Sequence, residues 1–388
     1  MNGNIKLFFA GDFCSKPSTK KITVSDELKN LIQSCDLKLV NFEVPLKPEI
    51  DLPSQGRERF FQHDDVPEFL KGLGFNLFSQ ANNHAFDWDD EGFKKTKAAL
   101  GDAAFGAGTY EEAYRPKIVE VNGTRIGFLS LSFAAYKGVF DDVTKMKGLG
   151  CAYVNDLKVN HIIIETKKEV DYLFLMVHDG IEYIDVPLPE TIARYRDFIE
   201  YGADGVIAAH PHCPQGWETY KDKPIFYSLG NFLFNSKEGY DFRANKPHWY
   251  EGLCAVMTIS DGKLSWEIVN TRNVDNVGIV IDHDEARVKH NEEICTYLSD
   301  DDAYWSYFIQ VSESNGYNKL LRTVDNSIHP QNMKQCTKIV AQYWLRKLIG
   351  KKPAPVNDIA LDRLFRHDTN RQFVLWALRL HQQSSKKN

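Results

Sequence analysis

The stretch Gly202-Ala203-Asp204-Gly205-Val206-Ile207-Ala208-Ala209-His210-Pro211-His212 is a short apolar run that stops at two histidines one residue apart. Five apolar residues bounded by turn formers read as a buried strand. Alternate residues of extended chain point the same way, so His210 and His212 can share one target beyond the strand's carboxyl end. The arrangement recurs upstream. Asp12 follows the run 5–10, Asn41 and Glu43 follow 37–40, and Asn82-Asn83-His84 follows 76–79, with Asp87 close behind. His178 follows the run 171–177, and runs 125–131 and 224–227 complete the series. Helical stretches at 64–73, 90–100, 155–169 and 189–201 lie between them, so the body reads as βα units around a largely parallel sheet, an α/β fold. Ligands of such sheets bind beyond the carboxyl ends of the strands. Five strand ends here carry carboxylate, amide or imidazole. That mixed nitrogen and oxygen set suits Mn²⁺, Zn²⁺ or Fe, and fits a thiolate site or an all-oxygen Ca²⁺ cage poorly.

Composition narrows the class. With 388 residues, 43% hydrophobic and 26% charged, the chain is neither disordered nor collagenous. Seven cysteines never form a CxxC pair, which excludes a zinc ribbon or disulfide framework and predicts a reducing compartment. The N-terminal residues read as a first strand, not a signal peptide, and no apolar run approaches a membrane span, so a cytoplasmic location is expected. There is no P-loop, GxSxG or Rossmann fingerprint, and no nucleic-acid partner is expected.

The net charge of −6 is unevenly placed. From residue 330 onward twelve Lys and Arg face three Asp, a balance of +9, which leaves −15 on the first 329 residues. A basic tail on an acidic body suggests an anionic partner or a homo-oligomer contact through the tail. Residues 250–270 read as a hairpin about Asp261-Gly262. Beyond about 283 the pattern turns helical, at 333–349 and 357–382, which divides the chain into a 1–280 domain and a basic helical extension, 281–388.

Four segments carry a resemblance: Ala81-Asn82-Asn83-His84-x-x-Asp87; Val177-His178-Asp179-Gly180-Ile181-Glu182-Tyr183; residues 202–212 quoted above; and Lys223-Pro224-Ile225-Phe226-Tyr227-Ser228-Leu229-Gly230-Asn231-Phe232. In this order they are similar to the CapA family of poly-γ-glutamate and capsule biosynthesis, within the calcineurin-like metallophosphatases. The resemblance covers about residues 5–270. It implies a four-layer α/β/β/α metallophosphatase-like sandwich with two divalent ions at the strand ends. Glu43 would bridge them, Asn83, His178 and His210 would complete one site, and Asp12 and His212 would serve the other. His84 and Asp87 would be the catalytic residues, His84 as general acid, with a metal-bound hydroxide attacking phosphorus. The superfamily's Asp-x-His opening is Asp12-Phe13-Cys14 here, so the first metal site lacks its usual histidine and is expected to be weak. A tryptophan common after the fourth-motif histidine is replaced by Asp179.

Substrate contacts are expected from Asn41, Arg57 and Arg59, and from Tyr227 and Asn231 in the loop after the strand 224–227. The implied activity is hydrolysis of a phosphate ester on a phosphorylated or anionic small molecule or polymer precursor in cell-surface polymer synthesis. Two other readings are compatible with the residues: a non-hydrolytic assembly factor binding an anionic polymer such as poly-γ-glutamate, and a metal-dependent γ-glutamyl amide hydrolase.

Overall fold

The structure is a computed structural model that describes residues 4–52, 59–135, 138–141, 147–236, 242–246 and 248–315, with 368–369, 371–373 and 375–376 near the C-terminus. In chain order the first elements are β1 (Ile5–Ser15), β2 (Thr23–Val24), α1 (Asp26–Gln33), β3 (Leu37–Phe42), α2 (Val66–Leu73), β4 (Leu77–Ser79) and α3 (Asp89–Leu100). Then come β5 (Ala104–Phe105), β6 (Ala107–Gly108), α4 (Tyr110–Ala113), β7 (Lys117–Val121), β8 (Thr124–Ser132), β9 (Gly150–Cys151), α5 (Lys158–Lys167) and β10 (Tyr172–His178). The remainder are α6 (Pro189–Glu200), β11 (Gly205–Ala209), β12 (Trp217–Tyr220), β13 (Lys223–Phe226), β14 (Asn231–Asn235), β15 (Glu251–Ser260), β16 (Lys263–Val274), β17 (Gly278–Ile281), α7 (Glu285–Leu298) and α8 (Asp301–Asn315).

Two sheets form the frame. One runs β2-β17-β16-β15-β1-β3-β4-β5 with β14 also paired to β1; the other runs β12-β13-β11-β10-β8-β7. β1 shows why they stack. Leu7 and Phe9 on one face meet Phe128, Phe174, Met176 and Phe226 of the second sheet, while Phe8 and Ala10 on the other face meet Leu28, Ile32, Val66 and Leu70 of α1 and α2. Strict alternation therefore commits each strand to two apolar layers at once. Fully burying a phenylalanine such as Phe9 contributes roughly 1.5–3 kcal/mol. On the outer face of the second sheet, α6 packs Tyr195 on Tyr227, with rings 5.7 Å apart and 8° from parallel. The result is a four-layer α/β/β/α sandwich.

The helices start where local chemistry satisfies their free amides. Ser25 caps α1 through Leu28 N, and Asp284 caps α7 through the amides of Ala286 and Arg287. The hairpin of β15 and β16 turns at Asp261-Gly262, as the sequence predicts. Met1–Asp301 forms one compact unit and Asp302–Asn388 a second, so α7 belongs to the sandwich unit. The predicted tail helices at 333–349 and 357–382 lie outside the described residues, apart from the few positions given above. Among the described residues no helix is long and apolar enough to cross a membrane, and all six described cysteines are free thiols.

Candidate functional site

The first strand runs through the site, where the sequence reading ended it at residue 10. Gly11 lies where β14 meets β1. A Cβ there would sit 2.0 Å from the Gly230 carbonyl oxygen, so a side chain would separate the two strands. The Asp12 amide donates to that same carbonyl at 3.0 Å. The pairing register slips at Asp12 against both β3 and β14, and such a bulge re-aims a side chain. Asp12 Oδ1 accepts from Asn41 Nδ2 at 2.6 Å, and Oδ2 accepts from the His210 amide at 3.0 Å.

Glu43 is the first residue beyond β3. Gln62 holds the turn from behind, donating from Nε2 to the carbonyls of Glu43 and Val44, each at 2.9 Å. Val44 sits at φ +82°, a region that β-branched residues rarely adopt, so packing around the site enforces a strained backbone. Glu43 Oε1 then lies 3.8 Å from His178 Nε2 and 3.9 Å from both His84 Nε2 and His212 Nε2. The side chain is wholly buried, yet neither oxygen makes a hydrogen bond.

His178 ends β10. Its Nδ1 is 3.1 Å from Asn41 Nδ2. Its Nε2 faces Asn83 Oδ1 at 2.9 Å and His210 Nδ1 at 3.1 Å, on the edge that also faces Glu43. His210 and His212 both take positive φ, +108° and +58°. His212 Nδ1 lies 2.9 Å from Asn231 Oδ1; an amide oxygen only accepts, so Nε2 keeps its lone pair on the Glu43 side.

The electrostatics favour a cation. Burial pushes Asp12 up to about 7 and Glu43 well above the usual carboxylate value, the latter helped by the charge of Asp12. Burial also holds His178 well below its usual value, with the charges of His212 and His84 acting the same way. Two carboxylates that resist ionisation beside an imidazole that resists protonation are costly to bury, and a divalent ion removes both penalties. Ligand atoms of Asp12, Glu43 and His178 lie within 4.8 Å of one another, as do those of Glu43, His210 and His212. The residues present fit a metal centre.

Beside it, His84 Nδ1 lies 2.9 Å from Asp87 Oδ2, which leaves Nε2 towards Glu43. Asp87 Oδ2 also accepts from the Phe60 amide at 3.0 Å, and the Phe60 ring stands edge-on to His84 at 5.1 Å.

Residues 6–236 match the family described as bacterial capsule synthesis protein PGA_cap. The chain belongs to that family. Among its relatives, the PGA biosynthesis protein CapA of Bacillus subtilis (strain 168) is 28% identical over 243 residues, covering 58% of this chain and 62% of its own. The capsule biosynthesis protein CapA of Bacillus anthracis is 30% identical over 222 residues, covering 55% and 53% respectively. The match thus spans between half and two thirds of the length of these relatives. Solved structures similar to it include a hypothetical protein of Thermus thermophilus (15% identity, TM-score 0.43, 69% of this chain and 99% of that one) and a novel phosphatase of Mycoplasma pneumoniae (16% identity, TM-score 0.42, 74% and 98%).

Within this family member, Asp12, Glu43, Asn83, His84, Asp87, His178, His210 and His212 come together from both sheets. Four of the expected substrate contacts have partners within the protein. Tyr227 is on the far side of its sheet: its hydroxyl donates to Glu218 at 2.6 Å and its ring stacks on Tyr195. Asn41 is committed to Asp12 and His178, and Asn231 to His212 and the carbonyl of Trp249, so both brace side chains of the cluster. Arg59 donates to the Asp87 carbonyl at 2.7 Å and to Asp89 at 3.2 Å, bracing the loop behind His84. Arg57 lies outside the described residues. Cys14 is packed with Val44, Phe234 and Trp249, and burial raises its thiol well above its ordinary value, so it stays a neutral core residue.

Two neighbours of the site escape sequence reasoning. Gln62 acts only through backbone carbonyls, which no motif records. Arg243 is buried, its guanidinium 5.1–5.4 Å from the rings of Phe60, Phe234 and Trp249, and its charge acts on Glu43. It belongs to a turn with no periodicity to mark it.

Proposed function

We propose that this chain is a metal-dependent phosphoesterase that hydrolyses a phosphorylated, anionic precursor in the synthesis of a cell-surface polymer. The observation that carries the reading is Glu43: a fully buried carboxylate whose two oxygens have no hydrogen-bond donor, amid three imidazoles. Glu43, Asn83, His178 and His210 would hold one divalent ion, and Glu43, Asp12 and His212 a second, of Mn, Zn or Fe type by donor chemistry. When bound, such ions supply Lewis acidity and lower the pKa of water to near neutrality.

The chain's own residues supply the rest. His84 gives its Nε2 proton to the departing oxygen, and Asp87 steadies the imidazolium by accepting from Nδ1. Asn83 Nδ2 is buried without a hydrogen-bond partner and is free to donate to a substrate oxygen. Arg243 adds positive charge to a centre that an anion must approach through an acidic body. Tyr183 and Trp249 wall the His212 side, at 6.2 and 5.3 Å between ring centroids, and limit water there.

The test is a phosphate-release screen of purified protein with added Mn²⁺ or Zn²⁺, over sugar phosphates, nucleotides and lipid phosphates. Metal-dependent turnover is expected. Release of amine from a γ-glutamyl substrate, with no phosphate from any ester, would replace the reading with an amide hydrolase. Metal-independent binding of poly-γ-glutamate alone would replace it with an assembly factor.

A further inference from the structure

A second set of metal-binding side chains lies outside this centre and shares none of its ligands. Asp185, between β10 and α6, His248, in the turn before β15, and His290, on α7, each place one ligand atom within 4.8 Å of the other two. His290 Nε2 is 3.2 Å and His248 Nε2 4.0 Å from Asp185 Oδ2. Two zinc–ligand bonds of roughly 2.0–2.1 Å at a tetrahedral angle set their donor atoms about 3.3 Å apart, a spacing that His290 matches and that His248 would reach by a small inward turn of its ring.

The hydrogen bonding around His248 points the same way. His248 Nδ1 lies 3.0 Å from Glu251 Oε2, and the carboxylate only accepts. Nδ1 therefore carries a proton and Nε2 is the nitrogen left facing Asp185, where an ion would take the place of the second proton that Glu251 helps His248 to hold. A carboxylate behind the imidazole is how proteins fix the orientation of metal-bound histidines. The His248 and His290 rings stack 4.2 Å apart and 8° from parallel, which turns both Nε2 atoms towards Asp185. His290 Nε2 is buried and makes no hydrogen bond. His248 is also held at φ +58°, so local strain keeps its ring in this place.

We propose that Asp185, His248 and His290 form a second divalent transition-metal site of zinc type, with Glu251 as the outer partner of His248 and a fourth position open to water. The site would tie together three segments distant in sequence. Two of them carry the wall of the first centre: Tyr183 stacks near His212, and Trp249 follows His248 directly. Zinc here would brace that wall without entering the reaction, and the inference stands whether or not the phosphoesterase reading does.

Histidine footprinting of the full chain with diethyl pyrocarbonate, read peptide by peptide by mass spectrometry, tests it with zinc alone as the probe. Stoichiometric Zn²⁺ should lower modification of His248 and His290 by about tenfold or more, because a ligated nitrogen is not nucleophilic. His283, whose side chain is 70% exposed, should be unaffected. Equal modification of His290 with and without zinc would overturn the proposal. Equilibrium dialysis gives an independent check: His290→Gln and His248→Gln should each hold one zinc fewer per chain than wild type, whereas Glu43→Gln should keep this ion. Unchanged stoichiometry in a folded His290→Gln variant would also overturn it.

Discussion

Glu43 and Glu218 are shielded glutamates of the same sandwich with opposite surroundings. Glu218 accepts from Arg196 Nε and Nη2 at 2.8 and 2.7 Å and from Tyr227 at 2.6 Å. Glu43, fully buried, has no donor on either oxygen and faces imidazoles instead. The first arrangement holds β12 and β13 to α6 and leaves no valence for a ligand. The second leaves a buried carboxyl that a cation would complete. Val44, His210 and His212 take positive φ beside Glu43, held there by buried packing, whereas the positive φ of Lys221 and Asp222 near Glu218 belongs to an ordinary hairpin turn. Glu218 is satisfied by its own protein neighbours, and Glu43 is not.

The largest effect should come from Glu43→Gln. Loss of the shared ligand should lower phosphate release by about 10³-fold or more, while the metal-free protein gains about 1–2 kcal/mol from removal of an uncompensated buried acid. Activity assays paired with urea unfolding check both signs, and a destabilised variant would break the contrast with Glu218. His84→Ala should reduce kcat by about 10²–10⁴-fold with metal content unchanged, measured by steady-state kinetics alongside metal analysis. Asn231→Ala should weaken metal binding by about 10–100-fold, since His212 loses the partner that fixes its tautomer; competitive chelator titration reads this.

Glu218→Ala should leave activity intact and cost about 1–3 kcal/mol by stranding Arg196 and Tyr227, read by urea denaturation. The smallest effect concerns Asp282, whose carboxyl is held below its ordinary value of 3.8 by Arg287, which donates from Nη2 at 2.8 Å. A lowered folded value means that the stabilisation is complete well above pH 3.8 and is lost as pH falls through and below it. Arg287→Ala should therefore flatten the acid limb of the stability curve while leaving stability changes above pH 6 alone.

The sequence made the strand ends legible because each ligand follows an apolar run directly, and His210-x-His212 states its geometry in its spacing. It did not reveal that β1 continues to Ser15, because Gly11-Asp12 reads as a turn until β14 is known to pass 2.0 Å from where a Cβ would be. Tyr227 was misplaced for want of one alternation: Phe226 faces the core between the sheets, so its neighbour must face α6. Gln62 and Arg243 work through backbone carbonyls and ring faces, which leave no periodic trace. Asp185, His248 and His290 are too far apart in sequence to form a motif, and only the packing of α7 on the sandwich unites them.

Metal content measured by inductively coupled plasma mass spectrometry, after equilibration with Mn²⁺ or Zn²⁺ and removal of loose ions, tests the centre most directly. Wild-type protein is predicted to retain ions that Glu43→Gln loses, with phosphate release lost in parallel. Equal metal content in the two proteins, or wild-type protein that holds no ion at all, would contradict the account.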